Sequence, residues 1–226
     1  MNWTTFNTHK MSPDKAFETL CNQLFENWCK SEYSGLISSF AVVNGSGGDG
    51  GVESYLTLND GNIIGLQAKW FPDSIGSSEI GQIRNSIKTA MRIRSNIIRY
   101  IVCVPRDLAS QTARTIESGN SEDNRWTALV KEINTEFPSL IIELWNETKI
   151  TEELQKADCS GIYRFWFENS EISLETVKYA FERAKCTWLS NKYTPDLNAY
   201  GKIDKMLSGF LGDETKRESC EQGESR

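Results

Sequence analysis

The chain has 226 residues, a formal net charge of −6, and 38% hydrophobic and 25% charged residues, a composition that suits one substantial hydrophobic core and a smaller appended unit. Because no apolar run approaches the roughly 18 to 20 residues of a membrane span and the N-terminus lacks a secretory signal, we expect a cytoplasmic protein without a membrane segment. The six cysteines lack C-x-x-C spacing and His9 is the single histidine, which argues against a zinc site, a disulfide framework and histidine-based catalysis.

The first predicted element is a helix that begins at Ser12-Pro13, an N-cap followed by proline at the first helical position. Apolar residues then recur at three- and four-residue spacing, which predicts one buried face. That face comprises Phe17, Leu20, Cys21, Leu24, Phe25 and Trp28. Glu18 lies at its edge, about 100° from Phe17, and is either a solvated boundary residue or a functional carboxylate.

A β-hairpin is predicted after the first strand, for which the apolar run Gly35 to Val43 is the candidate. That strand leads directly into a glycine-rich loop, Asn44 to Gly51. The dipeptide Asp60-Gly61 is a strong turn signal between two runs rich in β-forming residues. We therefore expect antiparallel second and third strands, the third ending before Pro72 because proline cannot continue a ladder.

Polar side chains converge at the open end of this hairpin. Gln67 and Lys69 are two residues apart, so they project from one face of the third strand while Ala68 points to the other. Glu53 begins the second strand at the same end. Phosphodiester cleavage requires a hard cation and a group that orients or deprotonates water, and carboxylate and amide oxygens suit Mg²⁺. A cation next to a lysine disfavours the ammonium form, so the lysine amine can activate water. The three residues together therefore predict a hydrolytic metal site. Lys69 taken alone is more often a solvated residue at the end of a strand.

The glycine-rich loop also matches the residue spacing of nucleotide-binding patterns, but the elements and motifs that such sites require around it are missing. Gly45 to Gly50 satisfies G-x-G-x-x-G, yet a β-forming run follows where a dinucleotide site requires a helix. With Val52 the pattern becomes that of a kinase glycine loop, with Lys69 on the following strand, but H-R-D and D-F-G do not occur. A phosphate-binding P-loop is excluded because Gly-Lys-Ser/Thr is missing.

Asp49-Gly50-Gly51-Val52-Glu53 followed by Gln67-Ala68-Lys69 resembles the PD-(D/E)XK nuclease signature in its Mrr-type restriction endonuclease form. The resemblance implies an α/β fold with a restriction-endonuclease-like αβββαβ core, a mixed sheet flanked by helices, and here a C-terminal helical extension. It implies that Glu53 and Asp49 hold the cation, that Gln67 and the Ala68 carbonyl complete the ligands, and that Lys69 positions the attacking water. The chain departs from the family pattern at Glu53, where aspartate is commoner, and at Gln67, which replaces an acidic residue.

The resemblance also implies a function. Phe17-Glu18 matches a pair on the first helix of such nucleases whose glutamate reaches the metal. The expected protein is a Mg²⁺-dependent endonuclease that acts on double-stranded DNA, with Mn²⁺ as a substitute cation. Because Gln67 lowers the negative charge of the site, the alternative is a catalytically inactive nuclease-like module for DNA binding or oligomerisation.

A basic helix is predicted after the hairpin, with Ser77 or Ser78 as its cap. Its buried stripe comprises Ile80, Ile83, Ile87, Ala90 and Met91. Arg84, Lys88 and Arg92 follow at i, i+4 and i+8 and form a basic stripe beside it, while Gln82 and Ser86 lie on the other flank. Residues 80 to 116 contain seven basic residues and one acidic residue. We expect Arg84, Lys88, Arg92 and Gln82 to contact DNA, although a solvated basic face is the commoner outcome.

The remaining chain is predicted to alternate between short elements. Arg99 to Pro105 and Leu140 to Trp145 are predicted strands, the first buried on both faces. Ser118 to Asn124 is predicted as a loop. Predicted helices span Trp126 to Phe137, Thr151 to Ala157 and Ser173 to Leu189. Ile162 to Phe167 is an aromatic packing element or an edge strand, and the charged stretch Asp213 to Arg226 is expected to be disordered.

These elements suggest a nuclease-like domain over 1–147, a helical extension over 148–200, and a linker or disordered tail over 201–226. Trp188-Leu189 with Tyr193 to Asn198 resembles the segment that joins Mrr-like effector domains to STAND NTPase modules in prokaryotic antiviral proteins. This short resemblance implies the effector of an anti-phage defence protein. It also implies a homo-oligomer that forms through a C-terminal module absent from this chain.

Overall fold

A five-stranded mixed sheet forms the centre of the computed structural model, which describes residues 3–43, 50–110 and 121–168. The strands lie in chain order: β1 (Ile37–Val42), β2 (Ser54–Leu58), β3 (Ile63–Ala68), β4 (Ile97–Cys103) and β5 (Ile141–Trp145). The pairs β1–β2 and β2–β3 are antiparallel, whereas β3–β4 and β4–β5 are parallel. The predicted α/β class with a mixed sheet is confirmed.

Five α-helices accompany the sheet in the described residues. They are α1 (Pro13–Glu32), α2 (Ser77–Ile93), α3 (Glu122–Glu136), α4 (Glu147–Leu154) and α5 (Ser160–Phe167). Short 3-10 turns occur at Trp3–Thr5 and Ala157–Cys159. None of the described helices is long and apolar enough to cross a membrane.

The two faces of the sheet bury two separate hydrophobic clusters, because successive side chains of a strand point to opposite faces. Ile64, Leu66 and Ala68 of β3 belong to the cluster that α1, α4 and α5 cover. Ile63 of β3 and Tyr100 of β4 belong to the cluster that α2 and α3 cover. Strand β4 is therefore buried on both faces, as its apolar sequence predicts.

Helix α1 and the hairpin follow the sequence prediction closely. All six apolar residues of the predicted α1 face are buried. In the hairpin, Ser54 pairs with Leu66 and Thr57 pairs with Ile63, and the turn contains Gly61 at φ +85°. The predicted buried stripe of α2 is confirmed at each of its five positions.

Several helix starts differ from the prediction because local caps decide them. The N-cap of α2 is Gly76, whose N–H donates to the Glu79 side chain at 2.9 Å, so neither Ser77 nor Ser78 is needed as a cap. The predicted loop to Asn124 is wrong at its end, because Ser121 caps α3 by accepting from the Asn124 N–H at 3.2 Å. Asn146 caps α4 in the same way and starts that helix at Glu147.

An aromatic cluster joins the first described residues to the last helix. The ring of Trp3 lies 5.7 Å from that of Trp70 and 5.7 Å from that of Phe167. Phe6 lies 5.4 Å from Trp166. The packing role predicted for Ile162 to Phe167 is confirmed, but the alternative of an edge strand is wrong, since these residues belong to helix α5.

Some sequence predictions fall on residues outside the described ranges. These are Asp49, the helix Ser173 to Leu189, the segment Trp188 to Asn198, and the disordered tail Asp213 to Arg226.

Candidate active site at the mouth of the hairpin

The backbone of Glu53 is fixed between two neighbouring strands. Its N–H donates to the Leu66 carbonyl at 2.8 Å, and its carbonyl accepts from the Val43 N–H at 2.7 Å. These bonds continue the β1–β2–β3 ladder one residue beyond Ser54, the first residue of β2. The backbone of Glu53 is therefore fixed by the hydrogen bonds of the sheet.

The side chains of Glu53 and Gln67 meet, as the hairpin pattern predicts. The Gln67 Nε2 donates to the Glu53 Oε1. Gln67 is fully buried, and Glu53 is only 9% exposed. The carboxylate and the amide are thus brought together in a largely water-excluded position, where a polar pair is strongly constrained.

Lys69 lies just beyond the last residue of β3. Its N–H donates to the Cys103 carbonyl at 2.9 Å, which continues the parallel pairing of Ala68 with Cys103. The Lys69 residue is half-buried. The Ala68 side chain is 8% exposed and packs in the α1 cluster, so it points away from the face that Gln67 and Lys69 share.

Glu18 lies on α1, which covers the face of the sheet opposite to the one that Gln67 and Lys69 share. The Glu18 side chain is 16% exposed, and its carboxylate forms an ion pair with Lys15. Burial, together with a hydrogen bond to Cys103, raises the pKa of the Cys21 thiol, and the negative charges of Glu18 and Glu53 raise that pKa further. Both carboxylates are thus within electrostatic reach of one buried thiol of α1.

The remaining predicted metal ligand is Asp49, which falls between two described ranges. Within residues 3–43, 50–110 and 121–168 no three or more His, Cys, Asp and Glu side chains are grouped so that they could hold a metal ion. The donors that the described residues do bring together are therefore one carboxylate and one amide, those of Glu53 and Gln67.

Glycine is required at position 51, just before Glu53, because the backbone there lies against α2. Its φ is +80°, and a Cβ atom there would lie 2.2 Å from the Ser86 carbonyl oxygen and 2.7 Å from the Ala90 nitrogen. The Gly51 carbonyl also accepts a hydrogen bond from the Tyr100 hydroxyl. The chain just before Glu53 therefore rests directly on the backbone of α2, a contact that only the choice of glycine hints at in the sequence.

The basic stripe of α2 is paired with α3. The Arg84 Nε lies 2.9 Å from the Glu132 carboxylate, and the Lys88 Nζ lies 2.9 Å from Glu136 and 3.5 Å from Glu132. Arg92 and Gln82 are exposed. Sequence reasoning missed this network, although Glu132 and Glu136 show the same four-residue spacing as their basic partners and so lie on one helix face.

Glu53, Gln67 and Lys69 thus lie at one end of the hairpin, whereas Glu18 lies on α1 and is linked to Glu53 by their shared electrostatic effect on the Cys21 thiol. No protein-family model matches the chain, and no curated protein matches its sequence.

Proposed function

We propose that this protein is a metal-dependent endonuclease that hydrolyses phosphodiester bonds of double-stranded DNA, on a restriction-endonuclease-like αβββαβ core. The observation that supports this proposal best is the contact of the Gln67 amide with the Glu53 carboxylate at the mouth of the hairpin. Lys69 follows two residues after Gln67, so its amine projects from the same face of the strand as this carboxylate–amide pair.

The donor set suits Mg²⁺, which prefers carboxylate and amide oxygens and keeps several waters. The hydrogen bond directs the Gln67 nitrogen towards Glu53, and turning that amide by half a rotation brings its oxygen there instead. Glu53 and Gln67 would hold the cation together with the Ala68 carbonyl, Asp49 and Glu18. When bound, the cation would neutralise the charge that develops on the scissile phosphate.

The protein groups then have separate tasks. Glu53 and Gln67, which are buried and held in the sheet, would define the position of the cation and, through it, of the phosphate. Lys69 is half-buried at the strand end and positions or deprotonates the attacking water. The rigid, buried pair Glu53 and Gln67 thus serves binding, and the half-buried Lys69 keeps access to water.

Removal of the Glu53 carboxylate tests the metal site. We expect Glu53→Ala to abolish uptake of Mn²⁺ or Mg²⁺ in a calorimetric titration, because it removes the carboxylate that the described residues bring into contact with the Gln67 amide, and a hard cation needs such a charged oxygen ligand. Glu152→Ala removes an exposed carboxylate of α4 and serves as the matched control, with unchanged uptake. Equal metal uptake by both variants and the parent would contradict the proposed ligand set. A plasmid-nicking assay with and without divalent metal tests the activity itself.

For DNA contact we propose Arg84, Lys88, Arg92 and Gln82. Phosphate contacts from basic side chains supply most non-specific DNA affinity, and Glu132 and Glu136 at present balance two of these side chains. A DNA strand would have to compete with those carboxylates. Arg92, which is exposed, is open to such contact from the start.

The competition between the α3 carboxylates and DNA for Arg84 and Lys88 can be measured. We expect Glu132→Gln to raise the affinity for duplex DNA several-fold at low salt, because Arg84 and Lys88 then lose a shared anionic partner. Fluorescence anisotropy of a labelled duplex reports the affinity. Glu152→Gln changes the net charge equally on α4, so an equal gain for both variants would mean that net charge alone acts and that the stripe is not the contact surface.

A second candidate is a nuclease-like binding module without catalysis. It is favoured by Gln67, which lowers the negative charge of the site, and by the hydrogen bond that already occupies one Glu53 oxygen. Such a module would bind DNA without metal uptake. For either candidate, the resemblance at Trp188 to Asn198 supports a role as the effector of an anti-phage defence protein that self-associates.

A further inference from the structure

A groove of about 280 Å³ lies between helix α1 and the edge strand β1. Phe40 and Val42 of β1 line one side, and Glu18, Asn22 and Glu26 line the α1 side. The volume is close to the lower end of natural ligand pockets, roughly 300 Å³. The groove is therefore large enough for one small flat ring.

Asn22 makes this groove unusual. The residue is only 7% exposed, and its Oδ1 is buried without a hydrogen-bond partner in the described part of the chain. A buried acceptor without a donor is unfavourable for folding. Asn22 also lines the groove, so a rotation of its amide would turn the Oδ1 to a ligand in the groove, which can supply the missing N–H.

The charge of the lining selects the kind of ligand. Two carboxylates, Glu18 and Glu26, and one ammonium, Lys15, line the groove, which disfavours a phosphate there and favours a neutral group rich in donors. Phe40 adds an aromatic side chain on which a flat ring can stack. An exocyclic amino group on an aromatic ring meets both requirements.

The groove adjoins the candidate active site. Val42 pairs with Ser54 across the β1–β2 ladder, and the next residue, Val43, donates to the Glu53 carbonyl at 2.7 Å. Glu18 is common to the groove and to the proposed metal ligands. The groove lies on the α1 face of the sheet and the Glu53 side chain on the other, so a nucleotide next to a phosphate at the Glu53 site would enter the groove around the edge strand β1.

We propose that this groove receives one unstacked DNA base that carries an exocyclic amino group, with the Asn22 Oδ1 as its acceptor. The inference rests on the proposed nuclease function. Asn22 is too deeply buried to reach into a groove of intact duplex DNA, so the base has to leave the stack and enter the protein. Base recognition at this point adds sequence preference to a site whose phosphate contacts supply none.

The test uses the full chain with Lys69→Ala, so that DNA stays uncut, and a dye-labelled duplex in which 2-aminopurine replaces adenine at several positions. Anisotropy of the dye reports binding, and 2-aminopurine fluorescence reports unstacking. We expect a several-fold fluorescence rise on binding. Adding Asn22→Leu should abolish the rise without lowering the melting temperature, since an unpaired buried acceptor is removed.

Two further variants sharpen the result. Thr19→Val keeps the shape of the groove wall and removes a hydroxyl that already donates to the Lys15 carbonyl, so the rise should persist. Val42→Trp changes a residue that is 58% exposed and should block the entrance and abolish the rise without disturbing the core. Binding without any rise, or a rise that survives Asn22→Leu and Val42→Trp, overturns the base site alone. If no DNA binds, the proposed nuclease function fails, and the base site fails with it.

Discussion

Replacing Lys69 by alanine is expected to lower Mg²⁺-dependent DNA cleavage by about 10²- to 10⁴-fold, the usual contribution of a positioned proton-transfer group. The fold should persist, because Lys69 is half-buried and its structural bond to the Cys103 carbonyl is made by the backbone. Plasmid nicking under single-turnover conditions measures the rate, and thermal unfolding measures stability.

Two control variants distinguish the effect of the positive charge of Lys69 from its ability to accept a proton. Lys131→Ala removes an exposed lysine of α3 and should leave the rate unchanged. Lys69→Arg keeps the positive charge but cannot deprotonate in a protein, so its rate distinguishes electrostatic stabilisation from water activation. Undiminished cleavage by Lys69→Ala, or a loss that merely follows a large fall in melting temperature, would rule out the assigned role.

Replacing Gly51 by alanine is expected to lower the free energy of unfolding by about 2–5 kcal/mol, the range of strained and overpacked core positions. The new Cβ would lie 2.2 Å from the Ser86 carbonyl oxygen at a φ of +80°. The chain must then move away from α2, and Glu53, two residues later, must move with it. Denaturant unfolding gives the stability, and cleavage should fall even in conditions where the variant is folded.

Gly61→Ala is the matched control for this prediction. Gly61 has a φ of +85°, but a Cβ there meets nothing within 4 Å. Its substitution therefore carries only the strain of a left-handed residue, about 1–2 kcal/mol. Equal losses for the two variants would show that backbone strain alone acts and that the contact of Gly51 with α2 is unimportant.

The hairpin and its polar pair could be predicted because their determinants are local. The Asp60-Gly61 turn sets the register, and the alternation of strand side chains then brings Glu53 to Gln67. The six buried residues of α1 follow from helical spacing in the same way.

The features that were missed depend on contacts between distant parts of the chain. Glu132 pairs with Arg84 across 48 positions, and no periodicity within α2 reveals that partner. Whether Ile162 to Phe167 forms a strand or a helix is decided by packing of Trp166 and Phe167 in the α1 cluster, because aromatic residues have no strong helical preference of their own. Glycine at position 51 marks a close approach, but the sequence does not show to which element.

The ring cluster of Trp3, Phe6, Trp70, Trp166 and Phe167 has a consequence for biosynthesis. Its members come from both ends of the described chain, and contacts between such remote positions form late and slowly. Trp70 follows Lys69 directly, so a nascent polypeptide still emerging from the ribosome lacks the final surroundings of that lysine. The aromatic packing next to Lys69 is completed only after synthesis has passed position 167.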